Sequence, residues 1–344
     1  MRRILAFAAP VVLVVAIVAV VAVIAGTKNG SATDTLTVYS GQHPQTVSAL
    51  VAAFEKQTGI SVAVRSDDEG VLENQIVTEG KNSPADVFIT ENSPPLEALA
   101  AKGLLEKIDP STLAKTSAKY SSPTGHWAGV SARVSAMVYN TGKLKPSELP
   151  TSILGLASPK WKGKLALAPT ETDFQPIVTA VAARYGEARA LKWLEAIRSN
   201  ARGHIYPDNE TLVAEVNKGQ AALGVINHYY WYRLRDEIGK TNIHSALHFF
   251  KDGDPGYVID VSGAGVLASS SHKSDAQKFV AFLVSRAGQE IIAHSESYEY
   301  PLGSGVVTAK PLVPFTSLRP DPITVSQLGD GSTAINLLRQ ASLL

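Results

Sequence analysis

Three short apolar runs in this chain end in side chains that can bind a metal. LTVYSGQH delivers His43, DVFITE delivers Glu91, and ALGVINHYY delivers the adjacent phenols Tyr229 and Tyr230. Each run reads as a buried strand, and in open α/β sheets ligands bind beyond the carboxyl ends of the strands. An imidazole, a carboxylate and two phenols could therefore converge on one crevice. Successive side chains of a strand face opposite ways, so Tyr229 and Tyr230 point together only where the strand gives way to a helix. There the helix N-terminus favours phenolate. Tyrosine ionises near pH 10, at about the top of the ordinary range. Two phenolates are thus a costly choice for zinc or calcium, whereas a hard trivalent cation such as ferric iron lowers that value and prefers anionic oxygen.

Familiar catalytic patterns are absent: the chain has no HExxH, no G-x-S-x-G, no P-loop and no G-x-G-x-x-G, and Gly263-Ala264-Gly265 is too short to count. Nor is there the two-His-one-carboxylate spacing of oxygenase iron. Taken singly, each candidate has a plainer role: His43 as a helix cap before Pro44, Glu91 as a turn carboxylate before Pro94, and Tyr229-Tyr230-Trp231-Tyr232 as an aromatic cluster. It is their joint occurrence at three strand ends that points to a site. Asp67-Asp68-Glu69 reads as a solvated helix start, His228 as pointing away from the tyrosines, and His204, His244, His248 and His294 as scattered surface histidines.

The elements that must position these groups are legible from periodicity. Strands are expected over 36–39, 60–64, 86–90, 163–167 and 221–226, with extended segments over 127–139 and 253–265. Helices are expected over 44–58, closed by Gly59, and over 71–78, 96–105, 177–185, 188–197, 211–218, 229–238, 275–285 and 288–293. Strands alternating with helices predict an α/β architecture with largely parallel sheets.

Composition narrows the class. The 344 residues hold 32 Lys+Arg and 31 Asp+Glu, a net charge of +1, which excludes a general nucleic-acid binder. Hydrophobic residues make up 45% and are spread through the chain, which argues against disorder. With no cysteine, disulfides, zinc–thiolate sites, iron–sulfur clusters, thiol nucleophiles and a lipoprotein anchor are excluded. The length suggests two domains of about 100–200 residues each. At the N-terminus, Arg2 and Arg3 precede an apolar run over 4–25, and the chain then turns polar over 26–31, as in a segment addressed to the export machinery. Pro10 and Gly30-Ser31-Ala32 fit a cleaved signal, whereas the length of the run fits a retained membrane anchor. Either way, residues beyond about 33 are expected outside the cytoplasmic membrane.

From about residue 35 to its end the chain resembles the ferric-ion-binding proteins of bacterial ABC iron importers, within the larger class of two-lobed extracytoplasmic solute-binding proteins. The stretches that carry the resemblance are LTVYSGQHPQTVSALVAAFEKQTGI, SPADVFITEN, SPKWKGKLALAPT, VNKGQAALGVINHYYW, DAQKFVAFLVSRAGQE and EYPL near residue 300. It implies a type II periplasmic-binding-protein-like fold, with one lobe over 34–132 and 260–306, the other over 133–259 and 307–344, and a double crossover near 132 and 260. It implies Fe(III) held by His43, Glu91, Tyr229 and Tyr230. Remaining positions would go to a synergistic anion, carbonate or phosphate, or to water, with Asn209, Asn227, Arg133 and Thr170 near the anion. One departure stands out: where the family often has small neutral residues after Ala168-Pro169-Thr170, this chain reads Glu171-Thr172-Asp173. Extra carboxylates repel an anion, so either Glu171 or Asp173 is expected to donate oxygen itself, or carbonate to replace phosphate. The resemblance further implies a monomeric transport component, not an enzyme, that takes up iron or an iron chelate and delivers it to a permease driven by a cytoplasmic ATPase. An organic or oxyanion solute on the same fold, such as a phosphonate or sulfate-like ligand, an iron-dependent enzyme and an anchored sensor ectodomain remain as rivals.

Overall fold

In the computed structural model, which describes residues 35–344, the runs that end in candidate ligands belong to one mixed sheet. Its strands are β1 (Leu36–Ser40), β2 (Val62–Ser66), β3 (Val87–Thr90), β4 (Trp127–Asn140), β5 (Leu165–Ala166), β6 (Leu223–Asn227), β7 (Ser245–His248), β8 (Ile259–Val266) and β9 (Tyr300–Pro301). The order is β2-β1-β3-β8-β4-β6-β5, with β7 and β9 also paired to β4. The helices are α1 (Pro44–Thr58), α2 (Glu69–Glu79), α3 (Pro94–Ala101), α4 (Pro110–Leu113), α5 (Gln175–Tyr185), α6 (Glu187–Asn200), α7 (Asn209–Asn217), α8 (His228–Ile238), α9 (Lys273–Leu283), α10 (Arg286–His294), α11 (Val325–Leu328) and α12 (Ser332–Gln340). The export or anchor segment lies outside the described residues, and no helix among them is long and apolar enough to cross a membrane.

Local chemistry explains the elements that deliver the site. α1 has Pro44 at its first position, buries Val47, Leu50, Val51 and Phe54 on one face, and stops at Gly59, whose φ of 74° places its amide on the Glu55 carbonyl at 2.8 Å. β3 is buried throughout, and apolar up to its last residue, Thr90, because it lies between β1 and β8 with both faces covered. β6 is equally buried and runs without a loop into α8.

The expectation of a largely parallel sheet is corrected. β1 pairs in parallel with β2 and β3, and β5 with β6, but every pairing of β4 with β6, β7, β8 and β9, and that of β3 with β8, is antiparallel. The reason is β4 itself: the stretch expected as separate extended segments is one unbroken strand of 14 buried residues. Its first part, Trp127 to Val134, pairs with β8, and from Ser135 onward it pairs with β6 and β7. Two apolar cores flank this switch. Val38, Phe54, Val87 and Phe279 lie in one, among β1, β3, α1 and α9, and Leu212, Val216, Ile226 and Tyr229 lie in the other, among α7, β6 and α8. A third and larger cluster runs from Leu72 and Phe88 through Trp127 and Met137 to Trp193 and Leu337.

Candidate functional site

His43 stands at the junction of β1 and α1 but makes no side-chain capping bond. Its backbone N–H donates to Gln42 Oε1 at 2.7 Å, and the Gln42 amide nitrogen donates to Ser262 Oγ at 3.0 Å and to Glu299 at 3.2 Å. The ring is thereby turned inward. Nδ1 lies 3.1 Å from Glu91 Oε1, and the ring meets that of Tyr229 edge-on at 5.0 Å. Burial, and then the charges of Arg133 and Arg233, push the imidazole well below its usual pKa, so it is neutral. With Glu91 ionised, its carboxylate accepts from Nδ1 and holds the ring proton there. Nε2, buried and without a hydrogen-bond partner among the described residues, therefore presents a lone pair.

Glu91 follows β3 directly. Its backbone N–H donates to Glu69 Oε2 at 2.6 Å, and its carbonyl accepts from Arg133 Nη2. Its side-chain Oε2 is 3.6 Å from the same guanidinium. Burial drives the Glu91 carboxyl up; Arg133 opposes this, and Asp173 and Glu69 add to it. Glu69, read from sequence as part of a solvated helix start, is buried beneath Glu91 and also accepts from the Asn92 amide at 2.9 Å. Asp67 and Asp68 fit that reading: both are exposed, and Asp68 is the N-cap that accepts from the Gly70 and Val71 amides.

Tyr229 and Tyr230 occupy the first turn of α8 with ring centroids 4.1 Å apart, both buried. The Tyr229 hydroxyl donates to Asp173 Oδ2 at 3.3 Å. A helix N-terminus favours phenolate, yet the net effect here is the reverse: burial first, then the carboxylates of Asp173 and Glu91, push both phenols well above their ordinary pKa. Both are protonated at neutral pH, and a bound cation would reverse the balance. Among the described residues no three His, Asp or Glu side chains are grouped to hold a metal unaided, so any metal here depends on the phenols.

Arg133 joins the two halves of the cluster. It is fully buried on β4, with Nη1 3.0 Å from Glu299 Oε1 and Nε 3.8 Å from Asp173 Oδ1. Burial alone would depress the guanidinium, but Glu299, Glu91 and Asp173 outweigh it and hold the charge. Asp173 is buried and also accepts from the amides of Asn92 at 3.3 Å and Asn209 at 3.5 Å. Glu171 is half-buried; it accepts from the Asn209 backbone N–H at 3.4 Å and is pushed up to about 8 by burial and then by Asp173 and Glu210.

Thr170 and Asn227, expected near the anion, stand differently toward the cluster. Thr170 is exposed and its hydroxyl donates to the Pro207 carbonyl at 3.0 Å. Asn227 is fully buried at the end of β6, with its amide beside the buried carboxyl of Asp260, which in turn feels Asp173 and Arg133. His228 points away, accepting from the Val134 N–H at 3.2 Å and donating to the Tyr298 carbonyl at 2.9 Å. Sequence reasoning missed Gln42, Glu69, Asn92 and Glu299. Gln42 and Asn92 are direct neighbours of His43 and Glu91, and Glu299 opens the EYPL stretch, so the motifs held the signal. On the solvent side, a cavity of about 740 Å³ opens at His43, Arg233, Glu237 and His294.

This fold, with polar groups from β1, β3, β4 and α8 enclosed at the strand ends, is that of a type II periplasmic binding protein, a class built to enclose a solute. The family model described as bacterial extracellular solute-binding protein matches residues 82–318. The chain is 39% identical to the Fe(3+)-binding periplasmic protein of Serratia marcescens over 319 residues, which is 93% of this chain and 94% of that one. It is 38% identical to the major ferric iron-binding protein of Neisseria meningitidis serogroup A over 310 residues, 90% of this chain and 93% of that one. Among solved structures, iron-bound HitA from Pseudomonas aeruginosa superposes with a TM-score of 0.84 at 41% identity, covering 89% of this chain and 99% of that one. The chain belongs to the bacterial extracellular solute-binding proteins, and within them to the ferric-ion-binding family.

Proposed function

We propose that this protein captures Fe(III) outside the cytoplasmic membrane and hands it to an ABC importer, with His43 Nε2, Glu91 and the phenolates of Tyr229 and Tyr230 as its protein ligands. The observation that carries this reading is the pair of adjacent, buried phenols set against carboxylates and an unpartnered imidazole nitrogen. Such a pair stays protonated until a strongly polarising cation arrives, and a hard trivalent ion suits anionic oxygen. The relatives named for ferric iron support it. Capture is a binding event, with no catalytic step for these residues.

The partner change along β4 and the start of β8 at Ile259 support a lobe over 34–132 and 260–306 and another over 133–259 and 307–344. His43 and Glu91 then belong to one lobe and the two tyrosines to the other, so hinge closure completes the shell and opening releases iron to a permease coupled to an ATPase. The protein acts as a monomer and binds no nucleic acid. An oxyanion solute fits poorly, because the guanidinium that would recognise it already faces Glu299, Glu91 and Asp173.

The test is a ferric titration followed in the visible spectrum. The wild type is expected to develop a purple-red tyrosinate-to-iron band that saturates at one iron per chain, and Tyr230→Phe to lose most of it. A protein that stays colourless at saturating ferric iron sinks the proposal.

A further inference from the structure

Away from the ferric cluster, five cations gather on one face of the proposed second lobe. Lys160, Lys162 and Lys164 stand at alternate positions of one loop, Arg198 lies in the last turn of α6 and Arg202 just beyond it, and all five are exposed. Hydrogen bonds bring the two segments together: the Gly163 N–H donates to the Asn200 carbonyl at 2.8 Å, and the Asn200 amide donates to the carbonyls of Leu156 at 2.8 Å and Ser158 at 2.9 Å. Buried Trp161 pins the loop, its indole N–H donating to the Gly155 carbonyl at 3.1 Å. Beside the arginines a surface hollow of about 550 Å³ opens, with Ile205, 48% exposed, in its lining.

Elsewhere, exposed cations such as Lys218, Lys273 and Lys278 stand against Glu215, Glu106 and Asp275. Here, among the described residues, none of the five has an ion-pair partner. Lys160 alone is partly engaged, with Nζ 3.2 Å from the Glu148 carbonyl oxygen and 4.4 Å from the centre of the Trp161 ring. The acids at hand do not answer the others: Glu148 Oε2 accepts from the Lys145 N–H at 2.7 Å, and Glu195, three residues before Arg198, forms no ion pair with it. The dipole of α6 favours a cation in its last turn, which accounts for Arg198 and not for the rest. On a chain of net charge +1, like charges gathered this way repel one another until an anionic partner arrives.

We propose that this face is an electrostatic docking surface for the anionic headgroups of a lipid bilayer. Shape selects that occupant. Long, mobile cationic side chains around a hollow with one apolar residue suit a plane of phosphates, and they form no cleft that could read the side chains of a peptide. Such a plane is at hand, since the N-terminal segment addresses the chain to the cytoplasmic membrane. Lys164 directly precedes β5 and Asp173 follows it, and β5 runs parallel to β6, whose carboxyl end leads into Tyr229 and Tyr230. The patch thus lies at the opposite ends of these strands from the ferric cluster, and docking leaves that cluster open, whichever solute it takes.

The test is co-sedimentation of the full exported chain with vesicles of phosphatidylglycerol and phosphatidylcholine in equal parts, and with vesicles of phosphatidylcholine alone. The ratio of the two partition coefficients cancels what the N-terminal apolar run adds to both. At about 0.05 M salt the wild type is expected to prefer the anionic vesicles by about 100-fold, and at about 0.5 M to lose most of that preference to screening. Each charge removed costs about fivefold, so Lys162→Gln with Lys164→Gln, or Arg198→Gln with Arg202→Gln, is expected to lower the ratio by about 10- to 25-fold. These exposed positions are expected to leave the unfolding midpoint unchanged. Lys56→Gln with Lys81→Gln removes the same charge from exposed positions on the other proposed lobe and is expected to keep the ratio. Equal partition of the wild type onto both vesicles overturns the proposal. So does a wild-type ratio in both patch variants, or a loss that the Lys56 and Lys81 pair shares in full. Patch-dependent binding of a poly-aspartate peptide with no preference for anionic vesicles assigns the face to a protein partner and overturns the bilayer as its occupant.

Discussion

At the scale of single residues, the site is defined by what burial does to protons. Both phenols are held well above their ordinary pKa by burial and then by Asp173 and Glu91, so at pH 7 each carries its proton in the metal-free protein. His43 is pushed the other way, well below its ordinary value, and carries none on Nε2. The sign follows. In the proposed site, iron binding removes one proton from each phenol and none from the imidazole, so affinity is expected to rise with pH and to fall as the medium acidifies. We expect at least two protons released per iron at pH 7 in a pH-stat titration corrected with a protein-free blank. Two released protons correspond to an apparent affinity that changes by about 100-fold per pH unit. Release of fewer than two would mean that a phenol is not a ligand. The four side chains proposed to hold the iron were legible in sequence because each ends an apolar run with a metal-capable group. Gln42 and Glu299 stand inside the motifs and Glu69 outside them, but the partners of all three lie 22 to 257 residues away along the chain, and no local spacing encodes those contacts.

Among the elements, α8 and the loop before α1 carry the precision of the site. α8 is tied down by Tyr298, a non-glycine residue at a φ of 57° whose carbonyl accepts from His228, whose ring stacks on Tyr232 at 5.2 Å and whose hydroxyl donates to Asp236. Holding a tyrosine in the left-handed region costs about 1–3 kcal/mol, which these contacts offset. Gly41 sets the other side. A Cβ there would sit 2.5 Å from the Glu69 Cβ and 2.9 Å from its Cα, so the loop before α1 lies directly against the first residue of α2 with no room for a side chain. Gly41→Ala is expected to destabilise the fold by about 1–3 kcal/mol in chemical denaturation, and to weaken ferric binding by displacing the Glu69 that supports Glu91. Unchanged stability and affinity would show that the loop yields freely. Most helices and the core strands were readable from periodicity to within a few residues at either end. The unbroken β4 was not, because a strand buried on both faces shows no alternation, and neither was the short β9, which exists only through its pairing with β4.

For the whole molecule, the lesson lies in how one sheet serves two cores. β4 changes partners between Val134 and Ser135, and Arg133, just before that switch, faces Glu91 from β3, Asp173 from the loop after β5, and Glu299 before β9. On the proposed lobe boundaries this charge cluster spans both lobes, and we propose that closure and assembly of the ligand shell are one event. The expectation of parallel sheets failed here for the same reason: strands that carry the chain between halves run back against their neighbours rather than through βαβ crossovers. The central claim is that Fe(III) sits between the two halves on the tyrosine pair. The most direct measurement is an anomalous-diffraction map at the iron edge from crystals of the loaded protein. A single strong peak is expected within coordination distance of the hydroxyl oxygens of Tyr229 and Tyr230 and of His43 Nε2. Iron located elsewhere, or a peak that either tyrosine oxygen does not reach, would contradict it.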